Sequence, residues 1–246
     1  LRHQSMTSPE PTGSHASATP LSRRIAAWAL KLLAVAGALV LAIGLGVGLL
    51  LAVAYPQLPD ISGLTDYRPR QPLRVWSADG ELIAEFGEER RKYLPIQQIP
   101  AVMQQAVLAI EDSRFYQHHG VDYWGVLRAG LANLGESRSQ GASTITMQVA
   151  RNFYLSTEKT LIRKIYEVLL ALKIESALSK QKLLEVYLNH IFLGHRAYGF
   201  AAAAEVYFGK PLEAISTAEA AMLAGLPKAP SAYNPIANPR RAHVRQ

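Results

Sequence analysis

From Leu32 to Tyr55 the chain carries no charged residue and is rich in Leu, Ala, Val and Gly. A bilayer core needs roughly 20 apolar residues in a helix, and this run is long enough. It also exceeds the roughly 7–15 apolar positions of a cleaved signal peptide, so a retained membrane anchor over residues 32–55 is expected. The pattern then changes. Pro56, Pro59, Pro69 and Pro72 predict an extended connector over residues 56–72. Arg74 to Ser77 and Glu81 to Ala84 alternate around Asp79-Gly80, which predicts a hairpin, the one strand pair expected. Beyond Pro100 the spacing is helical. Ala101 to Ile110 opens with proline in its first turn. Leu161, Ile165, Val168, Leu169 and Leu172 form one stripe, and Leu183, Leu184, Tyr187, Leu188 and Ile191 form another after Ser179 as N-cap. Ser216-Thr217-Ala218-Glu219 is a capping box for a helix to about Leu223. The alanine-rich stretch from Tyr198 to Tyr207 suits close helix packing. The soluble part is therefore expected to be mainly α, one domain over residues 73–246, with a short β-hairpin.

Charge settles the orientation of the anchor. Residues 1–31 hold Arg2, Arg23, Arg24 and Lys31 against Glu10, and the opposite flank starts with prolines and Asp60. The positive-inside rule places residues 1–31 in the cytoplasm and the rest outside. The Ser/Thr/Pro-rich start, Leu1 to Pro20, is expected to be a disordered tail, with Met6 as a candidate natural start. The net charge of +7 fits an anionic ligand or a membrane surface. No long Lys/Arg run or nucleic-acid motif is present, so a nucleic-acid partner is not expected. The absence of cysteine excludes disulfides and thiolate zinc sites.

Five clusters could carry chemistry. Glu111-Asp112 ends a helical run, where the macrodipole disfavours two carboxylates. Phe115, Tyr116 and His118 follow, one to two turns on if the helix continues, and Gly120 is a candidate helix stop. In Gly141 to Gln148, Ser143 either caps a helix from Ile145 to Arg151 or joins Thr144 and Gln148 in binding sugar or anionic oxygens. Arg151 tilts this cluster towards anions. Lys159, Arg163, Lys164 and Glu167 read either as a surface salt-bridge face or as a group that neutralises a leaving diphosphate. Glu185 and Asn189 share a helix face and are placed to hydrogen-bond each other. The stretch from Ser216 to Pro235, with Leu226-Pro227-Lys228-Ala229-Pro230, reads as a capped helix and a rigid turn.

Taken in order, these clusters resemble the transglycosylase module of class A penicillin-binding proteins and their monofunctional relatives. The family's E-D-x-x-F-x-x-H-x-G is met by Glu111, Asp112, Phe115, His118 and Gly120. G-x-S-T-I-T-x-Q is met from Gly141 to Gln148, with Met147 where many members have glutamine. R-K-x-x-E is met by Arg163, Lys164 and Glu167. The fourth motif is met by Glu185, Tyr187, Leu188 and Asn189.

The resemblance implies a lysozyme-like α fold in which residues 121–140 belong to a jaw near the lipid. It implies polymerisation of lipid II into glycan strands with inversion, at the outer face of the bacterial cytoplasmic membrane. In that reading Glu111 is the general base and Glu167 positions the basic group or a divalent cation, magnesium or manganese. Asp112, Phe115, His118, Ser143, Thr144, Gln148, Arg151, Lys159, Arg163, Lys164, Glu185 and Asn189 bind substrate. No organic cofactor is expected. The partners are lipid II, the growing glycan, the membrane and other cell-wall synthesis proteins. A glycan-cleaving lysozyme-like enzyme and a non-catalytic lipid II-binding scaffold are the competing readings. The segment from Asn234 to Arg241 resembles the start of the region that follows this module in bifunctional members. No Ser-x-x-Lys, Ser-x-Asn and Lys-Thr-Gly set is present, so a truncated bifunctional protein that does not itself bind penicillin is expected.

Overall fold

The computed structural model describes residues 20–65, 67, 69, 72–134, 141, 143–155 and 160–246. Residues 1–19 of the expected tail and Lys159 lie outside the described residues, and Pro20 opens the first helix. The chain divides into two compact units, Leu1–Pro56 and Gln57–Gln246.

The described residues of the first unit form one long helix, α1, Pro20–Ala54, and the start of a 3₁₀ turn at Tyr55. It is long and apolar enough to cross a membrane, with a mean hydropathy of 2.5 and none of that stretch buried. It begins well before Leu32. Arg and Lys are good helix formers, so the charges that end the apolar run do not end the helix.

The second unit begins in the expected connector, and part of that segment is not extended. Asp60 accepts hydrogen bonds from the backbone N–H and hydroxyl of Ser62 at 3.1 and 2.5 Å. These bonds hold the Asp60 carboxyl below its usual pKa and start a single helical turn, α2, Ser62–Thr65. Leu64 is fully buried, and Leu58, Ile61 and Tyr67 are buried beside it. Lys173 fastens the segment by donating to the carbonyl of Pro59 at 2.9 Å.

β1 (Leu73–Trp76) and β2 (Leu82–Phe86) form the predicted antiparallel hairpin, with a bulge between Val75 and Trp76. A second, unexpected pair is parallel: β3 (Arg90–Arg91) lies against β4 (Ala197–Tyr198).

The rest is helical: α3 (Ala101–Glu111), α4 (Tyr123–Leu134), α5 (Ile145–Tyr154), α6 (Leu161–Ala177), α7 (Lys180–His190), α8 (Phe200–Phe208), α9 (Thr217–Ala224) and α10 (Pro239–Arg245). Helix α7 is the centre of the core. Every residue from Leu183 to Asn189 is buried, and α5 and α8 pack on it. Ser179 caps α7, and the Ser216–Glu219 capping box opens α9 as predicted. At α5 the cap is Thr144, not Ser143.

Helix α3 stops at Glu111, so the aromatics of the first motif do not continue it. Phe115–Gln117 form a separate 3₁₀ turn. Gly120 is not a helix stop. Its φ is +74°, and a Cβ there would lie 2.9 Å from the backbone of Ala171. Only glycine fits both demands, and this close approach seats the first motif against α6.

Candidate active site

Two carboxylates at the C-terminal end of α3 face an unfavourable dipole, and the fold resolves this by sending them in different directions. Asp112 turns to the N-terminus of α5, where its Oδ2 accepts the backbone N–H of Ile145 at 3.0 Å. A carboxylate there meets the positive end of the dipole and satisfies an orphan donor. Nε2 of His118 lies 3.0 and 3.1 Å from the two Asp112 oxygens. A carboxylate only accepts, so Nε2 carries the proton. Asp112 and His118 therefore brace the start of α5. Thr144 adds a second brace. Its hydroxyl donates to the carbonyl of Gly120 at 2.6 Å and accepts from Met147 N–H at 3.2 Å.

Glu111 points into a cleft of about 770 Å³. One helical turn into α5, Gln148 Nε2 donates to Glu111 Oε2 at 2.8 Å. The other end of that amide accepts from the hydroxyl of Tyr187 at 3.3 Å. Burial pushes the Tyr187 phenol well above its ordinary pKa, so it remains a neutral donor. The sequence pairs Tyr187 only with the fourth motif. Its contact with Gln148 crosses from α7 to α5 and leaves no local signal.

The cleft wall brings together Glu111, Asp112, Ser143, Thr144, Gln148 and Arg151 of the predicted set. The cluster of Arg163, Lys164 and Glu167 reaches the cleft through Lys164, whose Nζ donates to Ser143 Oγ at 2.8 Å. Glu167 is 1% exposed, with Arg163 on one carboxylate oxygen and Lys164 on the other. It fixes the two cations and does not face the cleft. Burial, together with the charges of Arg151 and Arg163, lowers the pKa of Lys164.

Besides His118, which is buried against Asp112, three predicted site residues stand elsewhere. Phe115 is buried beneath the first motif, with the ammonium of Lys180 4.3 Å from its ring. Glu185 accepts from Tyr93 at 2.8 Å and from the backbone N–H of Ile96 at 3.0 Å. Asn189 bonds both the N–H and the carbonyl of Leu94 at 2.8 Å. Glu185 and Asn189 tie down the strand-like segment before α3. The expected bond between their side chains is replaced by one from Asn189 to the Glu185 main-chain carbonyl.

Four charged cleft residues were not among the predicted site residues: Asp122, Arg128, Lys228 and Arg245. Asp122 pairs with Arg114 and accepts from Gly125 N–H at the start of α4. These contacts outweigh its burial and lower its pKa.

Among the described residues no group of three or more His, Asp or Glu is arranged to hold a metal ion. Both oxygens of Glu167 already face cations. The residues present do not fit a divalent cation at Glu167, and no chemical step is derived through one.

The cleft of this mainly helical domain thus sets Glu111, Asp112 and Asp122 against Arg128, Arg151, Lys228 and Arg245. The transglycosylase family model matches residues 79–246, and the chain belongs to that family. Over 205 residues it is 58% identical to penicillin-binding protein 1A of Neisseria gonorrhoeae, covering 82% of this chain and 26% of the relative. Identity to penicillin-binding protein 1A of Escherichia coli (strain K12) is 55% over 192 residues, covering 78% and 23%. The chain thus spans about a quarter of the length of these curated relatives. A crystal structure of penicillin-binding protein 1A from Haemophilus influenzae is 30% identical with a TM-score of 0.38, covering 72% of this chain and 17% of that one.

Proposed function

We propose that this chain is a peptidoglycan glycosyltransferase that polymerises lipid II into glycan strands with inversion at the anomeric carbon. The observation that carries the proposal is Glu111. Among the described residues it is the cleft carboxylate without an ion-pair partner, held by Gln148 in a cleft that Arg128, Arg151, Lys228 and Arg245 also line. Its carboxylate takes the proton of the acceptor sugar's 4-hydroxyl. That oxygen attacks C1 of the donor muramyl unit from the face opposite the lipid diphosphate. The bond from C1 to the phosphate oxygen breaks as the new glycosidic bond forms, and the diphosphate-lipid leaves with the electron pair. Arg151 and Lys164 stabilise the negative charge that develops on it, and Glu167 keeps Arg163 and Lys164 in place.

A glycan-cleaving enzyme expels a neutral sugar and has no use for these cations, so their presence favours synthesis. In this reading α1 anchors the chain in the cytoplasmic membrane, with residues 1–31 in the cytoplasm and the cleft outside. Cell-wall synthesis proteins are the partners expected there.

The test is polymerisation of labelled lipid II, read as glycan length on a gel. Glu111→Gln is expected to lower the rate by at least about 10²-fold, the lower range for loss of a general base. Folding and lipid II binding are expected to persist. Polymerisation by that variant at the rate of the native chain removes Glu111 as the base.

A further inference from the structure

Two charges sit against the dipoles of the helices that carry them. Lys180 is the first residue of α7, where the positive end of the dipole repels a cation. Glu175 lies in the last turn of α6, where the negative end repels a carboxylate. Water does not screen them: the Glu175 side chain is 4% exposed and that of Lys180 19%. Lys and Glu are rarely so buried unless paired. The two pair with each other across the turn between α6 and α7, with Lys180 Nζ 2.7 Å from Glu175 Oε1. A buried ion pair adds little net stability over apolar packing of the same volume, so closing that turn does not by itself account for it.

The pair reaches further than the turn. The same Glu175 oxygen accepts the hydroxyl of Thr146 at 2.5 Å, and the ammonium of Lys180 stands 4.3 Å from the centroid of the Phe115 ring. A cation over an aromatic face is attracted by the ring quadrupole, and more strongly away from water. Thr146 belongs to the second motif and Phe115 to the first, and both are buried. Neither lines the cleft, but each stands close in sequence to a residue that does. Phe115 follows Glu111 by one helical turn, and Thr146 shares α5 with Gln148, which holds Glu111. A continuous bridge of Phe115, Lys180, Glu175 and Thr146 thus runs beneath the two motifs. It shares no hydrogen bond with the braces that Asp112, His118 and Thr144 form at the start of α5.

We propose that Lys180 is a positioning residue of the active site. Through Phe115 on one side and Glu175–Thr146 on the other, it holds the end of α3 and the start of α5 at the separation that lets Gln148 reach Glu111. The catalytic part of this inference rests on the proposed glycosyl transfer. The role requires the charge of Lys180. An apolar side chain of the same length fills the space, but it neither attracts the ring face nor neutralises Glu175.

The experiment compares the native chain with Lys180→Met, Lys180→Arg and the paired Lys180→Met/Glu175→Gln. Lys180→Met leaves a buried carboxylate without its cation, which can prevent folding. The paired variant removes both charges, keeps the shape of both side chains and leaves Thr146 an acceptor, so it is expected to fold. Thermal unfolding checks this, and kinetics are measured well below the melting temperature. Without the charge, kcat of lipid II polymerisation is expected to fall about tenfold while KM stays within about twofold, the pattern of a misplaced catalytic group with substrate contacts intact. Lys180→Arg keeps a cation over the ring and is expected to recover most of that loss. A role in stability alone lowers the melting temperature and leaves kcat unchanged, so a native kcat in the paired variant overturns the proposal. Equal impairment of Lys180→Arg and the paired variant overturns it as well.

Amide hydrogen exchange supplies a readout that needs no polymerisation. The N–H groups of Ile145 and Met147 are bonded to Asp112 and Thr144, and their exchange is expected to quicken in the paired variant as the two motifs loosen. Should the native chain not polymerise lipid II, the proposed activity is overturned and exchange decides the bridge. Quicker exchange at these amides then supports it, and unchanged exchange overturns it.

Discussion

Gln148 lies between a group that only accepts and a group placed to donate. Glu111 takes a hydrogen bond from its amide nitrogen, and the hydroxyl of Tyr187 gives one to its amide oxygen. Rotating the amide by half a turn would set oxygen against carboxylate, so Tyr187 locks the amide in the one orientation that steadies an ionised Glu111. Tyr187→Phe removes that lock and leaves the amide oxygen of Gln148 without its buried partner. The expected cost is about 1–3 kcal/mol of stability, with kcat lowered by about tenfold through misplacement of Glu111. Polymerisation kinetics and a melting curve on the same preparation check this. An unchanged kcat with lowered stability would confine Tyr187 to the core. The sequence shows each of these three residues, but their alignment depends on three helices meeting and has no short-range signature.

Among the elements, local signals were legible and long-range ones were not. The Ser216–Glu219 capping box, the Ser179 cap and the Asp79-Gly80 turn are each specified within a few residues, and the structure forms all three. At α5 two adjacent hydroxyls compete for the cap. Thr144 takes it because its hydroxyl also reaches Gly120, while Ser143 turns to Lys164. The pairing of β3 with β4 joins two-residue strands over a hundred positions apart, too short for any period to show. The helical turn at Ser62–Thr65 was masked by its prolines. Beyond that turn, Tyr67 contacts His190 at the end of α7, with its hydroxyl 3.2 Å from Nδ1, and His190 stacks on Phe153 of α5 at 3.9 Å. Burial lowers the pKa of His190 from 6.5 to about 4. The unfolded chain therefore binds a proton at His190 between these values and the folded chain does not. Stability from this site is complete above pH 6.5 and falls as pH drops towards 4, by up to about 3 kcal/mol. His190→Phe retains an aromatic stack and cannot charge. Its melting temperature is expected to vary less over that range, as a pH series of melting curves will show.

At the scale of the molecule, the chain forms two compact units, and the apolar window of α1 is not buried. A chain beginning at Gln57 is expected to unfold within about 1 °C of the full chain, less than the roughly 2–4 °C caused by losing one kcal/mol of core contacts in a unit of this size. It should polymerise detergent-dispersed lipid II and lose most of its activity on lipid II in vesicles. Calorimetry and the two assay formats test both halves of that expectation. Glu111 and Arg245 line one cleft although 134 positions separate them in the chain. Contacts of such separation close late, after the loop between them is ordered. During biosynthesis Glu111 therefore emerges long before the far wall of its cleft. A nascent chain thus carries a half-built, open cleft until α10 has been made and docked.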